Sequence, residues 1–300
     1  MPTSRHYEHI TFPRPRPWRL PQAPLLPVGG AVAGEEQSGE TTPWDDENTA
    51  FFRWLFAQNN LDFRTYRLET LQRRFAACLR ACHSSSVWEA RRRLENNPGL
   101  VPGALSALLL GVTAFFRDNA VFEQLDKHLL PRLVAEREYL RIWSIGCSDG
   151  SELYSVAMLL AEKNLLSRCY LVGSDCRSDA LEQARAGVFD AAAVRQIPAH
   201  LAAKYLDLER NRLTISQPLR MAARWWPQDA LKIPESCIWD IILCRNMAMY
   251  LTSTAAAGLW RTLANSVRPG GVLVLGKAER PTNAAAFVSI GPCLYQRARG

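Results

Sequence analysis

IWSIGCSDGSELYSVAMLL occupies residues 142–160. It opens as a short apolar strand, passes through a turn of small polar residues, and continues as an apolar helix. A glycine stands at each end of the turn, Gly146 and Gly150, with Cys147, Ser148 and Asp149 between them. Glycine lets a chain turn through left-handed backbone and lets N–H groups come close to a bound molecule. The stretch by itself fits a plain βα connection as well as a ligand pocket.

The residues after it decide for an alternating α/β pattern. The strand YLRIWSIGC is followed by a helix from Glu152 to Lys163, and CYLVGSD is a strand ending in Asp175. A helix from Ser178 to Ala186 follows, with Ser178 as the expected cap. WDIILC (239–244) and GVLVLG (271–276) are strands flanking a helix over 254–267, and CLYQRA is a short last strand. Continuous apolar strands alternating with helices imply a parallel sheet covered on both faces. Ligands bind such sheets beyond the carboxyl ends of the strands. Gly146–Gly150, Asp175, Arg245, Asn246 and Lys277 fall there. Residues 187–228 interrupt the alternation, and RNRLTISQPLRMAARWW within them is expected to give two or three short strands as a small insertion.

Upstream, residues 49–110 read as a small helical domain. Leu71, Phe75, Cys78, Leu79 and Cys82 recur at helical spacing, with Arg67, Arg73, Arg74 and Arg80 on the opposite face. Ser86 and Glu89 form a capping box, and a further helix is expected from Gly103 to Leu110. Basic residues outnumber acidic ones nine to four over 50–110. That excess points either to a solvated helix face or to docking of an acidic protein. Residues 1–48 are rich in Pro, Gly and acid, and are expected to be a disordered leader. Their prolines argue against a secretory signal.

With 300 residues, 48% hydrophobic and 22% charged, the chain is long enough for a full core without staples. No apolar run is long enough to span a bilayer. The eight cysteines are scattered without a CxxC pair, which points to free thiols in a reducing, cytoplasmic setting. A net charge of +7 invites a nucleic-acid reading, but the interleaved aromatic and basic residues that stack bases are missing.

A glycine turn after the first strand and an acid closing the second fit a cofactor that contains a nucleoside, whose ribose hydroxyls the acid can accept. GCSDG does not follow G-x-G-x-x-G, which counts against a dinucleotide.

Five segments taken in order are more specific. VTAFFRD (112–118), IWSIGCSDGSELYSVAMLL, VGSDCRSDALEQARAGVFD (172–190), DIILCRNMAMYL (240–251) and GGVLVLGKAE (270–279) resemble the CheR-type chemoreceptor methyltransferases. The resemblance implies a Rossmann-like class I methyltransferase sheet over 111–300, carrying the short β insertion at 187–228. It implies methyl transfer from S-adenosylmethionine to receptor glutamates, with an acidic receptor helix meeting the arginine-rich N-terminal helices. It further implies that Asp175 holds the ribose and that Asp229, with Ala230 beside it, lies at the adenine. Gly146, Cys147 and Glu152 would line the methionine end. Thr113 and Arg117 would reach the cofactor or the target carboxylate, and Asn246, Met247 and Tyr250 would lie near the sulfonium. Arg117 and Tyr250 are the expected catalytic residues. Asp149, Ser151, Leu153, Ala248 and Lys277-Ala278 depart from the family pattern. A lysine beside a sulfonium is unfavourable unless it points away or pairs with a carboxylate. These departures keep two rivals in play, a methyltransferase of the same fold with another acceptor and an inactive cofactor-binding regulator.

Overall fold

The structure, a computed structural model, describes residues 46–109, 111, 113–209, 211–233, 237–282 and 286–299. Residues 46–300 make one compact unit. It opens with four helices, α1 (Asp46–Ala57), α2 (Leu68–Ala81), α3 (Val87–Asn96) and α4 (Val101–Leu108). α5 (Asn119–Gln124) runs through a π turn into α6 (Leu130–Glu136). Then come β1 (Leu140–Ile145), α7 (Ser151–Glu162), β2 (Cys169–Asp175) and α8 (Ser178–Ala186). The next stretch holds β3 (Val188–Asp190), α9 (Ala199–Tyr205), β4 (Leu206–Glu209), β5 (Arg212–Ile215) and α10 (Gln217–Ala222). β6 (Ala223–Pro227), β7 (Trp239–Cys244), α11 (Ser253–Ser266), β8 (Val267–Leu275), β9 (Phe287–Gly291) and β10 (Leu294–Arg297) complete the unit.

The main sheet has the order β6-β2-β1-β7-β8-β10-β9. β6, β2, β1, β7 and β8 are parallel, and β10 pairs antiparallel with both β8 and β9. The apolar runs arise because strand side chains alternate and both faces are covered. Ile142, Leu171, Ile241, Leu243, Val272 and Val274 pack with α5, α6 and α7 on one face. Trp143, Ile145, Val172, Ile242, Leu273 and Leu275 pack with α11 on the other. The chain runs from β1 outward to β2 and β6, then returns to β7 on the other side of β1. The crevice of such a reversal lies between the ends of β1 and β7.

Three expectations are corrected. Residues 46–48 are already in the first turn of α1, and the rest of the expected leader lies outside the described residues. Ser178 is the first residue of α8 and not its cap; the cap position is Arg177, with no side-chain cap bond. The 187–228 stretch is not all insertion. β3, β5 and β4 do form a separate three-stranded sheet, but ARWWP is β6 and pairs with β2 in the main sheet. Its two tryptophans follow the demand for a well-packed edge. The β4–β5 hairpin lacks glycine; Asn211 takes the left-handed position instead, at φ +72°. The Ser86 cap forms as expected, Glu89 N–H donating to Ser86 Oγ at 3.2 Å, while Glu89 reaches back to the N–H of Ser85 at 2.9 Å.

The turn after β1 is held from beneath by Trp225 of β6. A Cβ on Gly150 would lie 2.5 Å from the Trp225 ring, and one on Gly173 would lie 2.4 Å from it. Gly150 also has φ +85°. Gly150→Ala therefore meets both a backbone and a packing penalty, and is expected to lower the unfolding free energy by about 3 kcal/mol. Gly258, inside α11, has open space around its Cβ position. Gly258→Ala is expected to raise stability by about 0.5–1 kcal/mol. Urea unfolding of the two variants checks both signs.

Candidate functional site

A cavity of about 410 Å³ lies at the carboxyl ends of β1, β2 and β7, within the range of small-molecule sites. Thr113, Arg117, Gly146, Cys147, Glu152, Asp175, Asp229, Ala230, Asn246, Met247 and Tyr250 all line it. The structure thus brings together every residue that the resemblance assigns to the cofactor or to the reaction. It also adds Tyr66, Thr70, Arg73 and Arg74 from the N-terminal helical part, with Gly111, Ser148 and Arg177.

Several segments of the wall are fixed by buried charges. The Glu279 carboxylate is buried and accepts four backbone N–H bonds, from Asn246 (2.7 Å), Met247 (2.9 Å), Ala248 (2.8 Å) and Gly276 (2.9 Å). It thereby shapes the loop after β7, in which Asn246 sits at φ +57°. Arg245 donates to Glu152 at 3.1 Å, to Asp118 at 2.8 Å and to the Arg117 carbonyl at 2.8 Å. Ser144 Oγ donates to the other Glu152 oxygen at 2.8 Å. Gly146 has φ +65°, and a Cβ there would stand 3.0 Å from Met247 Sδ. A larger residue at 146 would therefore face both a left-handed backbone and a crowded Met247 side chain.

At the end of β2, Asp175 accepts from Ser148 N–H at 2.9 Å, Arg177 N–H at 3.0 Å, Arg177 Nε at 3.0 Å and Arg177 Nη2 at 3.1 Å. Asp229, after β6, caps the following turn by accepting from Leu231 N–H at 2.9 Å. Burial, followed by the charges of Asp175 and Glu152, pushes the Cys147 thiol well up, and burial raises Cys176 likewise. Neither is a thiolate near neutral pH, so the cavity offers no cysteine nucleophile.

The departures have places too. Asp149 accepts from Ser151 N–H at 3.0 Å and Ser151 Oγ at 2.6 Å, bracing the start of α7. Burial raises its pKa and the Ser151 bonds oppose that rise. Lys277 does not line the cavity; it pairs with Asp118 at 2.8 Å. Arg67, at the cap of α2, donates to the Leu251 carbonyl at 2.8 Å, and Arg74 within α2 donates to the Ala107 carbonyl at 3.1 Å. Arg73 and Arg80 are exposed. On α3, Arg91 and Arg93 are engaged with Glu95 and Glu89.

Sequence reasoning overlooked Glu279, Asp118 and Arg177 as shapers of the site. Glu279 and Asp118 are the closing acids of GKAE and FFRD, and that position at the end of each motif was the available signal. Arg177 had no such signal beyond lying two residues after Asp175.

Burial works to raise the Asp118 carboxyl, but its bond to Lys277 and the charges of Arg245 and Lys277 outweigh this and hold it below the ordinary value. A carboxyl so depressed stabilises the fold when ionised and loses that contribution as pH falls through its folded value. Asp118→Asn is expected to cost about 1 kcal/mol at neutral pH, since Lys277 is largely exposed. The gap to the parent protein should close as pH drops below about 3.9. Urea unfolding across that pH range measures it.

Residues 111–291 match the family model for the CheR methyltransferase, SAM binding domain. The chain is 27% identical over 239 residues to a chemotaxis protein methyltransferase of Listeria innocua, covering 79% of this chain and 91% of the relative. It is 27% identical over 249 residues to chemotaxis protein methyltransferase 1 of Vibrio cholerae, covering 79% of this chain and 90% of that relative. The matched span includes every strand whose end lines the cavity, and the chain belongs to the CheR methyltransferase family, with an S-adenosylmethionine-binding domain over residues 111–291.

Proposed function

We propose that this methyltransferase esterifies glutamate side chains of a chemoreceptor-like protein, with S-adenosylmethionine as methyl donor. The observation that carries the reading is one cavity with acids at one end and Arg117 with Tyr250 among its walls. The residues present fit the cofactor. Asp175 and Asp229 put carboxylates on the cavity wall toward the hydroxyls and amine of a nucleoside, and Gly146 adds no side chain to that wall. When bound, S-adenosylmethionine supplies a methyl group on a positively charged sulfur.

A glutamate carboxylate is ionised near neutral pH, so the chain has no proton to remove from it. Its task is to hold the nucleophile in line. Arg117 orients that carboxylate through paired N–H donors, and the Tyr250 hydroxyl adds one neutral hydrogen bond. The Arg117 carbonyl is fixed by Arg245, which sets where the Arg117 side chain starts. Lys277 is kept from the sulfonium side by Asp118.

The N-terminal helical part supports a protein acceptor. Tyr66 pairs with Leu251 in an antiparallel bridge, and Arg67 N–H donates to the Tyr250 carbonyl at 2.9 Å. This contact carries α2 to the edge of the cavity. The exposed Arg73 and Arg80 there suit an acidic receptor helix. Among the described residues no helix is long and apolar enough to cross a membrane.

If the acceptor is a carboxylate, label transferred from methyl-labelled cofactor is released by mild base as methanol, whereas N-methyl label survives. Base-stable label would refute the glutamate reading. Arg117→Ala is expected to slow single-turnover transfer more than Tyr250→Phe does, because it removes charged bonds of about 1.5–3 kcal/mol against about 1 for the phenol. Replacing Arg73 and Arg80 by Glu should raise KM for a receptor substrate, and added salt should shrink the difference. Steady-state kinetics at two ionic strengths tests this.

A further inference from the structure

The hydrogen bonds at Asp175 leave no room for a ribose. A carboxylate has about four lone-pair positions, and Asp175 accepts four bonds. Two come from backbone N–H groups of Ser148 and Arg177, which belong to the turns around the cavity. The other two come from Nε and Nη2 of the Arg177 side chain. The pair is almost wholly enclosed, with 9% and 6% of the two side chains exposed. Both residues also line the cavity.

We propose that the Arg177 guanidinium stands in for the vicinal ribose hydroxyls on Asp175, and that cofactor binding exchanges one for the other. The proposal rests on the reading of Asp175 as the ribose carboxylate. The chemistry of the two occupants matches. A guanidinium edge presents two parallel N–H donors to the two oxygens of a carboxylate. A ribose presents two neighbouring O–H donors to the same two oxygens. One carboxylate cannot accept both sets.

The surroundings give the guanidinium a defined place on either side of the exchange. Gly111, between α4 and the FFRD segment, lies directly over it. A Cβ on Gly111 would come within 2.4 Å of Arg177 Nη2 and 2.5 Å of Ser148 Oγ. Only a glycine leaves room for the arginine in its Asp175-bound position. Asp179, on the first turn of α8, has its charge within reach of Arg177 and accepts from Ser106 Oγ at 2.7 Å. It is a second carboxylate to receive the displaced side chain. Arg177 thus competes with the ribose for Asp175, and the apparent affinity for cofactor is lowered by the fraction of molecules in which Asp175 is occupied by Arg177.

The test is calorimetric titration of the full chain with S-adenosylhomocysteine, without any acceptor. Arg177→Ala is expected to bind about tenfold more tightly, the scale of one or two charged hydrogen bonds no longer broken. Arg177→Lys keeps a cation beside Asp175 but cannot bridge both oxygens, so its affinity should fall between the two. The ligand-free Tm of Arg177→Ala should drop while its rise on adding ligand grows. Unchanged or weaker binding by both Arg177 variants overturns the exchange. Asp175→Asn separates this failure from the underlying reading. Weakened binding there, with no gain in the Arg177 variants, rejects the exchange alone; unchanged binding there rejects Asp175 as the ribose carboxylate, and the exchange with it.

Discussion

The guanidinium of Arg245 is the tie on which the site depends. Its side chain is 2% exposed and joins three segments that are far apart in sequence. It holds Glu152 at the start of α7, Asp118 beside α5 and the carbonyl of Arg117. It also lies 5.5 Å from the centre of the Phe122 ring. Burying such a cation is expensive, and its Nε finds no acceptor among the described residues. The net stability from such a network is small compared with a well-packed apolar substitute. Removing only the arginine would instead leave the enclosed Glu152 carboxylate without its ion partner and Asp118 with Lys277 alone, at about 3–5 kcal/mol. The network therefore specifies geometry more than it adds stability. The turn after β1, the FFRD segment and the end of β7 must lie at one mutual distance, and that distance is the width of the cavity.

Glu279 does for the backbone what Arg245 does for side chains. Four N–H groups that would otherwise be unsatisfied at the ends of β7 and β8 converge on its two oxygens. The loop they define carries Asn246 and Met247 into the cavity and presents the Tyr250 carbonyl to Arg67. Phe116, Asp118, Ser148 and Asn246 all have positive φ without being glycine. Each such conformation costs on the order of 1 kcal/mol or more. They persist because the carboxylate and guanidinium ties over-determine the backbone there. These four lie in the segments around the cavity, while six other non-glycine residues, among them Asn211 and Cys293, take positive φ elsewhere among the described residues.

The main strands were legible because both faces of the sheet are covered, which turns alternating burial into unbroken apolar runs such as IILC and VLVL. The site residues were legible because they cluster at strand ends within five ordered segments. What escaped notice has physical reasons. β6 is an edge strand whose sequence, ARWWP, follows a helix and ends in proline, so it read as part of an insertion. Trp225 then turned out to fill the space under Gly150 and Gly173. The helix over 119–136 passes through a π turn and was not singled out at all. Side-chain pairings such as Arg177 with Asp175 follow from the direction of the turn, which no spacing of residue types encodes.

The departures from the family pattern can be weighed by charge. Lys277 adds a cation near a site that must accept another, but Asp118 takes it at 2.8 Å while also taking Arg245. That carboxylate thus serves two cations, and its own ionisation is favoured in return. Asp149 adds an acid to a turn that already faces Asp175. Its bonds from Ser151, itself a departure, hold it at the start of α7, where the helix N-terminus favours negative charge. The two charged departures are therefore each partnered, Lys277 by Asp118 and Asp149 by Ser151. On the function proposed above, an acceptor carboxylate entering beside Arg73 would meet positive charge at the rim and again at Arg117, two lining cations that favour an anionic nucleophile over a cationic one.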